Sequence, residues 1–295
     1  MAWYTGKTAL SVLAWGDSNM FGSGGFTPPG GQVTTTGLWC YASATGQVPY
    51  TEANLGWRNA LDPNGTNRLP EYNSYFNDGP YATASYIGQV LGGNGNPAMG
   101  CGQVLKEGTT IDTYVYHSAV GGTTAAYWQS GNGWTTLERT VPAALASIPG
   151  APTAFDCILA SIGGNDAIQG VPQETFVTNM KAIRSQMIAE GWWVPGVTQF
   201  VILDMPRSGY FWDNFGTWQG VELVRARFND RINRTNATGY EFADGIHYLP
   251  PYYTNAAEQA GDMFIAQVPK QQATFTIGGV RLSLGGQKLR VNSNA

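Results

Sequence analysis

The chain is poor in charge, in histidine and in cysteine, and it has no long apolar run. Asp, Glu, Lys and Arg make up 12% of its 295 residues, about half the roughly 25% of an ordinary soluble domain. The 16 basic residues are scattered and the formal net charge is −4, which argues against nucleic acid as the main partner. No stretch approaches the ~18 consecutive apolar residues of a spanning helix, and no long basic or amphipathic stretch suggests a membrane surface. Residues 1–7 lack the basic-then-apolar layout of a secretory signal, so cytoplasmic retention, trimming and release without a signal all stay open. The three cysteines, Cys40, Cys101 and Cys157, cannot all pair within one chain. Cys157 lies in an apolar run and reads as a small buried hydrophobe. Cys40 and Cys101 read as lying in Gly-rich loops, where a disulfide between them is left undecided. With His117 and His247 as the only histidines and no Cys-x-x-Cys, a zinc site has almost nothing to build from; no metal is expected.

What is present is apolar, aromatic and rich in turn formers: 43% hydrophobic and 13% aromatic residues, with 39 Gly and 16 Pro. Short apolar runs alternate with segments of helical period, which predicts an α/β architecture of three layers around a mostly parallel, five-stranded sheet. The strand candidates are residues 9–15, 113–117, 155–162, 199–204 and 239–243. Their runs are nearly continuous, as expected where helices cover both faces. Phe176, Met180, Ile183 and Met187 form one helical stripe after Gly170, with Pro172 at its start and Gly191 at its end. Val221, Val224, Phe228 and Ile232 form a second stripe. Ala256, Ala260, Met263 and Phe264 form a third, after Thr254 as N-cap, and residues 79–91 also read as helical.

Two regions break this rhythm. Residues 21–78 are rich in Gly, Pro, Asn, Thr, Tyr and Trp without a clear period, and predict a long irregular insertion after the first strand, with short strands at most. A structureless loop of that length is usually functional. After Pro269, two alternating runs flank Gly278-Gly279, a β-hairpin proposal. The expected organisation is therefore one domain over residues 1–268 and a short C-terminal β tail over 269–295.

Four segments fall just after strand candidates, where open α/β sheets place their ligands. The first is Gly16-Asp17-Ser18-Asn19-Met20-Phe21-Gly22, in which a serine flanked by turn residues follows a strand end. The second is Gly121-Gly122-Thr123-Thr124, whose paired glycines let a backbone N–H approach a ligand. In the third, Gly163-Gly164-Asn165-Asp166, the Asn165 amide can meet an anionic oxygen. The fourth is Asp244-Gly245-Ile246-His247. Imidazole is the usual base for a serine, and an acid three residues earlier on a turn can fix its tautomer. His117 has no acid close by in sequence, which favours His247. Each segment alone also reads as an ordinary turn.

Taken in order, the four segments resemble the SGNH/GDSL hydrolases over roughly residues 8–268. Gly-Asp-Ser-Asn-Met-Phe-Gly is similar to the Gly-Gln-Ser-Asn-Met-x-Gly block of carbohydrate acetylesterases of the sialate O-acetylesterase and acetylxylan esterase type. Gly121-Gly122-Thr123 followed by Trp128 is similar to their Gly-Gly-Thr-x-x-x-x-Trp block. The chain departs from that subfamily at Asp17, where Gln is usual, and at Gly164-Asn165-Asp166, where Gly-Glu-Ser-Asp is usual. The resemblance implies a flavodoxin-like SGNH hydrolase fold and a serine esterase without cofactors. Ser18 would be the nucleophile, His247 the base and Asp244 its orienting acid. The oxyanion would be held by the Ser18 and Gly122 N–H groups and the Asn165 amide. Trp128, Asp17, Gly121 and Thr123 stand beside these as candidate substrate contacts, although Asp17 and Asp166 read first as braces of their turns.

Exposed aromatics suit sugar faces. Trp39, Tyr41, Tyr50, Trp57, Tyr72 and Tyr75 in the insertion, with Trp128 and Trp134, therefore favour O-acetyl groups on a polysaccharide over long acyl chains. Packing within the insertion's own small core is the competing reading for each. The Gly richness, low charge and β tail resemble phage tail or fibre proteins. A glycan deacetylase carried on a virion is the combined expectation, with assembly or self-association through the tail. The alternatives are a lipase or thioesterase of the same superfamily and a non-catalytic glycan-binding structural protein.

Overall fold

The computed structural model describes residues 2–21, 36–43, 55–59, 74–76, 85–87, 97–204, 228, 232–235, 246–266, 274–277 and 280–283. In chain order these contain β1 (Leu10–Gly16), α1 (Ser18–Phe21), β2 (Leu38–Ser43), β3 (Leu55–Asn59), β4 (Ser74–Phe76) and β5 (Ser85–Ile87). Then come α2 (Pro97–Thr109), β6 (Thr113–Ala119), α3 (Ala125–Ser130), α4 (Asn132–Ala146), β7 (Cys157–Ser161), α5 (Gly164–Ile168) and α6 (Gln173–Ala189). The last are β8 (Gln199–Ile202), β9 (Ile232–Arg234), α7 (Pro250–Ala266), β10 (Thr274–Ile277) and β11 (Val280–Ser283).

All seven residues of β1 are buried, and the pleat divides them between two cores. Leu13 and Trp15 join Leu137 and Val141 of α4 and Phe176, Met180 and Ile183 of α6 on one face. Leu10, Val12 and Ala14 join Met99 and Leu105 of α2 and Ala256, Ala260 and Phe264 of α7 on the other. A strand covered on both sides needs apolar residues at every position, which is why β1 reads as a continuous run. The result is three layers, α/β/α.

The sheet is larger than the five strands expected. Its main path runs β3-β2-β6-β1-β7-β8-β9, with β5 joined to β6 and β4 to β5. Strands β2, β6, β1, β7, β8 and β9 pair in parallel, and β3 is antiparallel to β2. The extra strands come from regions without a strand-like signal. β2 and β3 lie inside the presumed irregular insertion, and β5 makes residues 85–87, expected to be helical, a strand. β9 takes Ile232 out of its expected helical stripe, because pairing with β8 overrides a weak local period. Val221, Val224 and the strand candidate 239–243 lie outside the described residues.

The helices α2, α3 and α4 carry little sequence signal. Gly100 and Gly102 lower the propensity of α2, yet a Cβ at Gly100 would lie 2.7 Å from the Ala257 Cβ and one at Gly102 2.6 Å from Val115 Cγ2. Close packing explains those glycines. α7 begins at Pro250, with Pro250-Pro251 in its first turn as the N-terminal preference of proline allows, rather than after Thr254. α6 spans the predicted stripe, with Pro172 at its N-cap position. The predicted C-terminal hairpin is present, and its register pairs Phe275 with Leu282 and Ile277 with Val280 across Gly278-Gly279.

Cys40 and Cys101 are on β2 and α2 rather than in loops, and both are buried free thiols, as is Cys157. Burial pushes the Cys40 thiol up to about 12 and holds the Cys101 and Cys157 thiols well above the ordinary thiol value, so none is a thiolate nucleophile. Among the described residues, no helix is long and apolar enough to cross a membrane.

Candidate active site

Three strands end at one level. Gly16 of β1 is in register with Ala119 of β6 on one side and Ser161 of β7 on the other. The chain passes from β6 to β7 across β1, the kind of crossing point at which open α/β sheets form a crevice beyond their carboxyl ends. The first three motif segments leave the sheet at this level. Gly16 makes the exit tight: its φ is +147°, and a Cβ there would lie 1.9 Å from the Ser161 carbonyl oxygen. The Gly16 carbonyl accepts from Val120 N–H at 2.9 Å, and Asp17 N–H donates to Ser161 O at 2.8 Å. Ser18 is thereby delivered as the first residue of α1, where its N–H is one of those a helix leaves without an intrahelical partner.

His247 arrives from 229 positions downstream with Nε2 at 2.8 Å from Ser18 Oγ. Ser18 is 7% exposed and His247 is half-buried. His117, the other histidine, is fully buried on β6 with Nε2 3.2 Å from the Met20 carbonyl oxygen, a position inside the fold rather than in the cleft. Asp244 lies outside the described residues. Gly121 faces the nucleophile, with its Cβ position 3.8 Å from Ser18 Cβ. Gly122 has φ +75° and open space around it. Asn165 is the second residue of α5, half-buried, on the turn that follows β7.

The turns are braced against one another by buried polar groups. Asp17 Oδ1 accepts from Asn19 N–H and from Ser161 Oγ, both at 3.0 Å, joining the first and third segments. Asp166 accepts from Ala125 N–H at 3.0 and 3.2 Å, joining the third segment to the start of α3, just after the second. Burial pushes each carboxyl up to about 6, against the lowering effect of these hydrogen bonds. The charge of His247 also favours the Asp17 anion.

Two candidate substrate contacts have a different place. Trp128 is fully buried; its Nε1–H donates to Thr123 Oγ1 at 3.1 Å, and its ring packs on Trp15 with centroids 5.4 Å apart. Thr123 Oγ1 in turn donates to Val120 O at 2.8 Å. These two residues strut the Gly121–Gly122 turn, and Trp128 presents no surface to a ligand. Asp17, 2% exposed, is likewise a brace. Of the aromatics expected to meet sugars, Trp39 stacks on Tyr114 and Trp57 donates to Ala144 O at 3.1 Å. Tyr41 and Trp134 are buried in the core, and Trp39 and Trp57, partly buried, pack against it. Tyr50 and Tyr72 lie outside the described residues, and Tyr75 is on β4.

Sequence reasoning gave Asn19 no role. Its Nδ2–H donates to Ile246 O at 3.3 Å, and its Oδ1 accepts from Tyr248 N–H at 3.4 Å and Tyr253 O–H at 3.0 Å. Tyr248 O–H donates to Asp204 O. Nothing local marks Tyr248 or Tyr253 as partners of a residue more than 220 positions away.

No protein-family model and no curated protein matches the sequence, but solved structures do. A protein from Arabidopsis thaliana is 15% identical, with TM-score 0.57 over 87% of this chain and 98% of that one. NanS is 11% identical, with TM-score 0.55 over 87% and 96%. The chain shares the three-layer α/β/α fold of these two structures. A carbohydrate acetylesterase family member from Sinorhizobium meliloti also matches, at 12% identity and TM-score 0.44 over 88% of this chain and all of that one.

Proposed function

We propose that the chain is a serine esterase that hydrolyses O-acetyl or other short acyl esters through an acyl-enzyme. The observation that carries this reading is the hydrogen bond between Ser18 Oγ and His247 Nε2 at 2.8 Å, next to the open Gly122 turn. Ser18 Oγ attacks the ester carbonyl carbon as its proton passes to His247 Nε2. Asp244 holds the imidazole tautomer, and the negative oxygen is met by the N–H groups of Ser18 and Gly122 and by the Asn165 amide. Collapse of the tetrahedral intermediate expels the alcohol, which takes the proton from His247. Water then attacks the acyl carbon, giving its proton to the imidazole, and the carboxylic acid leaves as Ser18 is restored.

The substrate class rests on the Gly-Asp-Ser-Asn-Met-Phe-Gly and Gly-Gly-Thr-x-x-x-x-Trp blocks, which point to acetyl esters of carbohydrate. The low charge, Gly richness and β-hairpin fit a virion protein acting on a host surface glycan. Ser18→Ala should abolish hydrolysis of p-nitrophenyl acetate while leaving the circular dichroism spectrum and thermal transition unchanged. Retained hydrolysis in that variant would remove the enzyme assignment. A series of acyl chain lengths separates the acetylesterase from a lipase, since rates that climb beyond butyrate contradict the short-acyl reading.

A further inference from the structure

We infer that Asn19 is the positioning residue that sets His247 against Ser18, by gripping the backbone on both sides of the imidazole. The inference deepens the esterase reading and rests on it for its kinetic arm. Asn19 is 3% exposed, and one planar carboxamide makes two opposed contacts. It donates to the carbonyl of residue 246 and accepts from the N–H of residue 248. In a parallel ladder, one residue likewise donates to the carbonyl before its partner and accepts from the amide after it. The Asn19 side chain thus stands in for a strand, and the residue it brackets is His247. Because Ser18 immediately precedes Asn19, nucleophile and base are referenced to adjacent Cα atoms.

The remaining contacts hold the carboxamide itself. Asn19 N–H is fixed by Asp17 Oδ1, and its Oδ1 also receives the Tyr253 hydroxyl from the first turn of α7. With Oδ1 held by Tyr253, the amide is oriented so that Nδ2 faces Ile246. An aspartate in this place keeps every acceptor and loses the one donor. An alanine loses both grips and leaves the Tyr248 amide and Tyr253 hydroxyl buried without that partner.

Since a displacement of about 1 Å can cost about 10²-fold in rate, Asn19→Ala should lower kcat for p-nitrophenyl acetate about 100-fold. KM should change less than about twofold, because no contact to substrate is removed. Asn19→Asp, which preserves the fold more safely, should lie between alanine and the parent. The two histidines supply a readout that needs no turnover. In 15N-histidine NMR of the full chain, Ser18→Ala should move the His247 Nε2 resonance, and Asn19→Ala should move it in the same sense. His117, whose Nε2 lies beside Met20 O, reports on the nucleophile turn and should keep its resonance. If the parent hydrolyses no ester but both variants shift His247, the esterase reading fails and the positioning role stands. An unmoved His247 in both Asn19 variants overturns the role. Joint movement of both imidazoles also overturns it, because Asn19 would then hold the turn rather than the base.

Discussion

At the scale of single residues, the site is built at a cost. Asp17 and Asp166 sit almost fully buried, and their carboxyls titrate near 6, whereas an unfolded aspartate titrates near 4. Between about pH 4 and pH 6 the folded chain holds protons that the unfolded chain has released. Stability therefore falls as pH rises through that window and stays lower above it, by roughly 3 kcal/mol per carboxyl. Asp17→Asn and Asp166→Asn should each flatten the dependence of Tm on pH between 4 and 6; an equally steep profile would place the acid response elsewhere.

At the scale of elements, the strand-end turns were legible in the sequence and their bracing was not. A Gly-flanked serine after an apolar run, paired glycines after a second run and Asp-x-x-His further on each leave a local signature. The links between them do not, because Asp17 to Ser161, Asp166 to Ala125 and Asn19 to residues 246 and 248 join distant segments. Aromatic residues mislead for the same reason. Trp128 looks like a sugar platform by position, and only the packing of Trp15 and Thr123 around it shows a strut. Thr123→Val tests that role. It removes the acceptor of the buried Trp128 N–H, a loss of about 1–3 kcal/mol, and slackens the turn that carries Gly122. The expected outcome is a lower Tm together with a fall in kcat larger than any rise in KM. A lower Tm with unchanged kcat would make the strut purely structural.

At the scale of the whole molecule, the order of strands was less legible than the class of fold. Central β1, β6, β7 and β8 announce themselves through continuous apolar runs, because both of their faces are covered. The edge strands β2, β3 and β5 gain their conformation from pairing, and their Gly- and Asn-rich surroundings hide them. The helix layer behind the site was hidden by its glycines, and those glycines tie stability to activity. α7 starts three residues after His247, and its Tyr253 reaches Asn19; farther along, a Cβ at Gly261 would lie 2.5 Å from Val104 Cβ on α2. That neighbour is close to the backbone and cannot swing aside, so Gly261→Ala must push α7 away from α2. Overpacking of this kind costs about 1–3 kcal/mol, and the displaced helix carries the His247 turn with it. Tm and kcat should therefore fall together, with the His247 Nε2 resonance moving toward its position in Ser18→Ala. A lowered Tm with an unmoved resonance would mean that the Asn19 grip holds His247 independently of the helix that follows it.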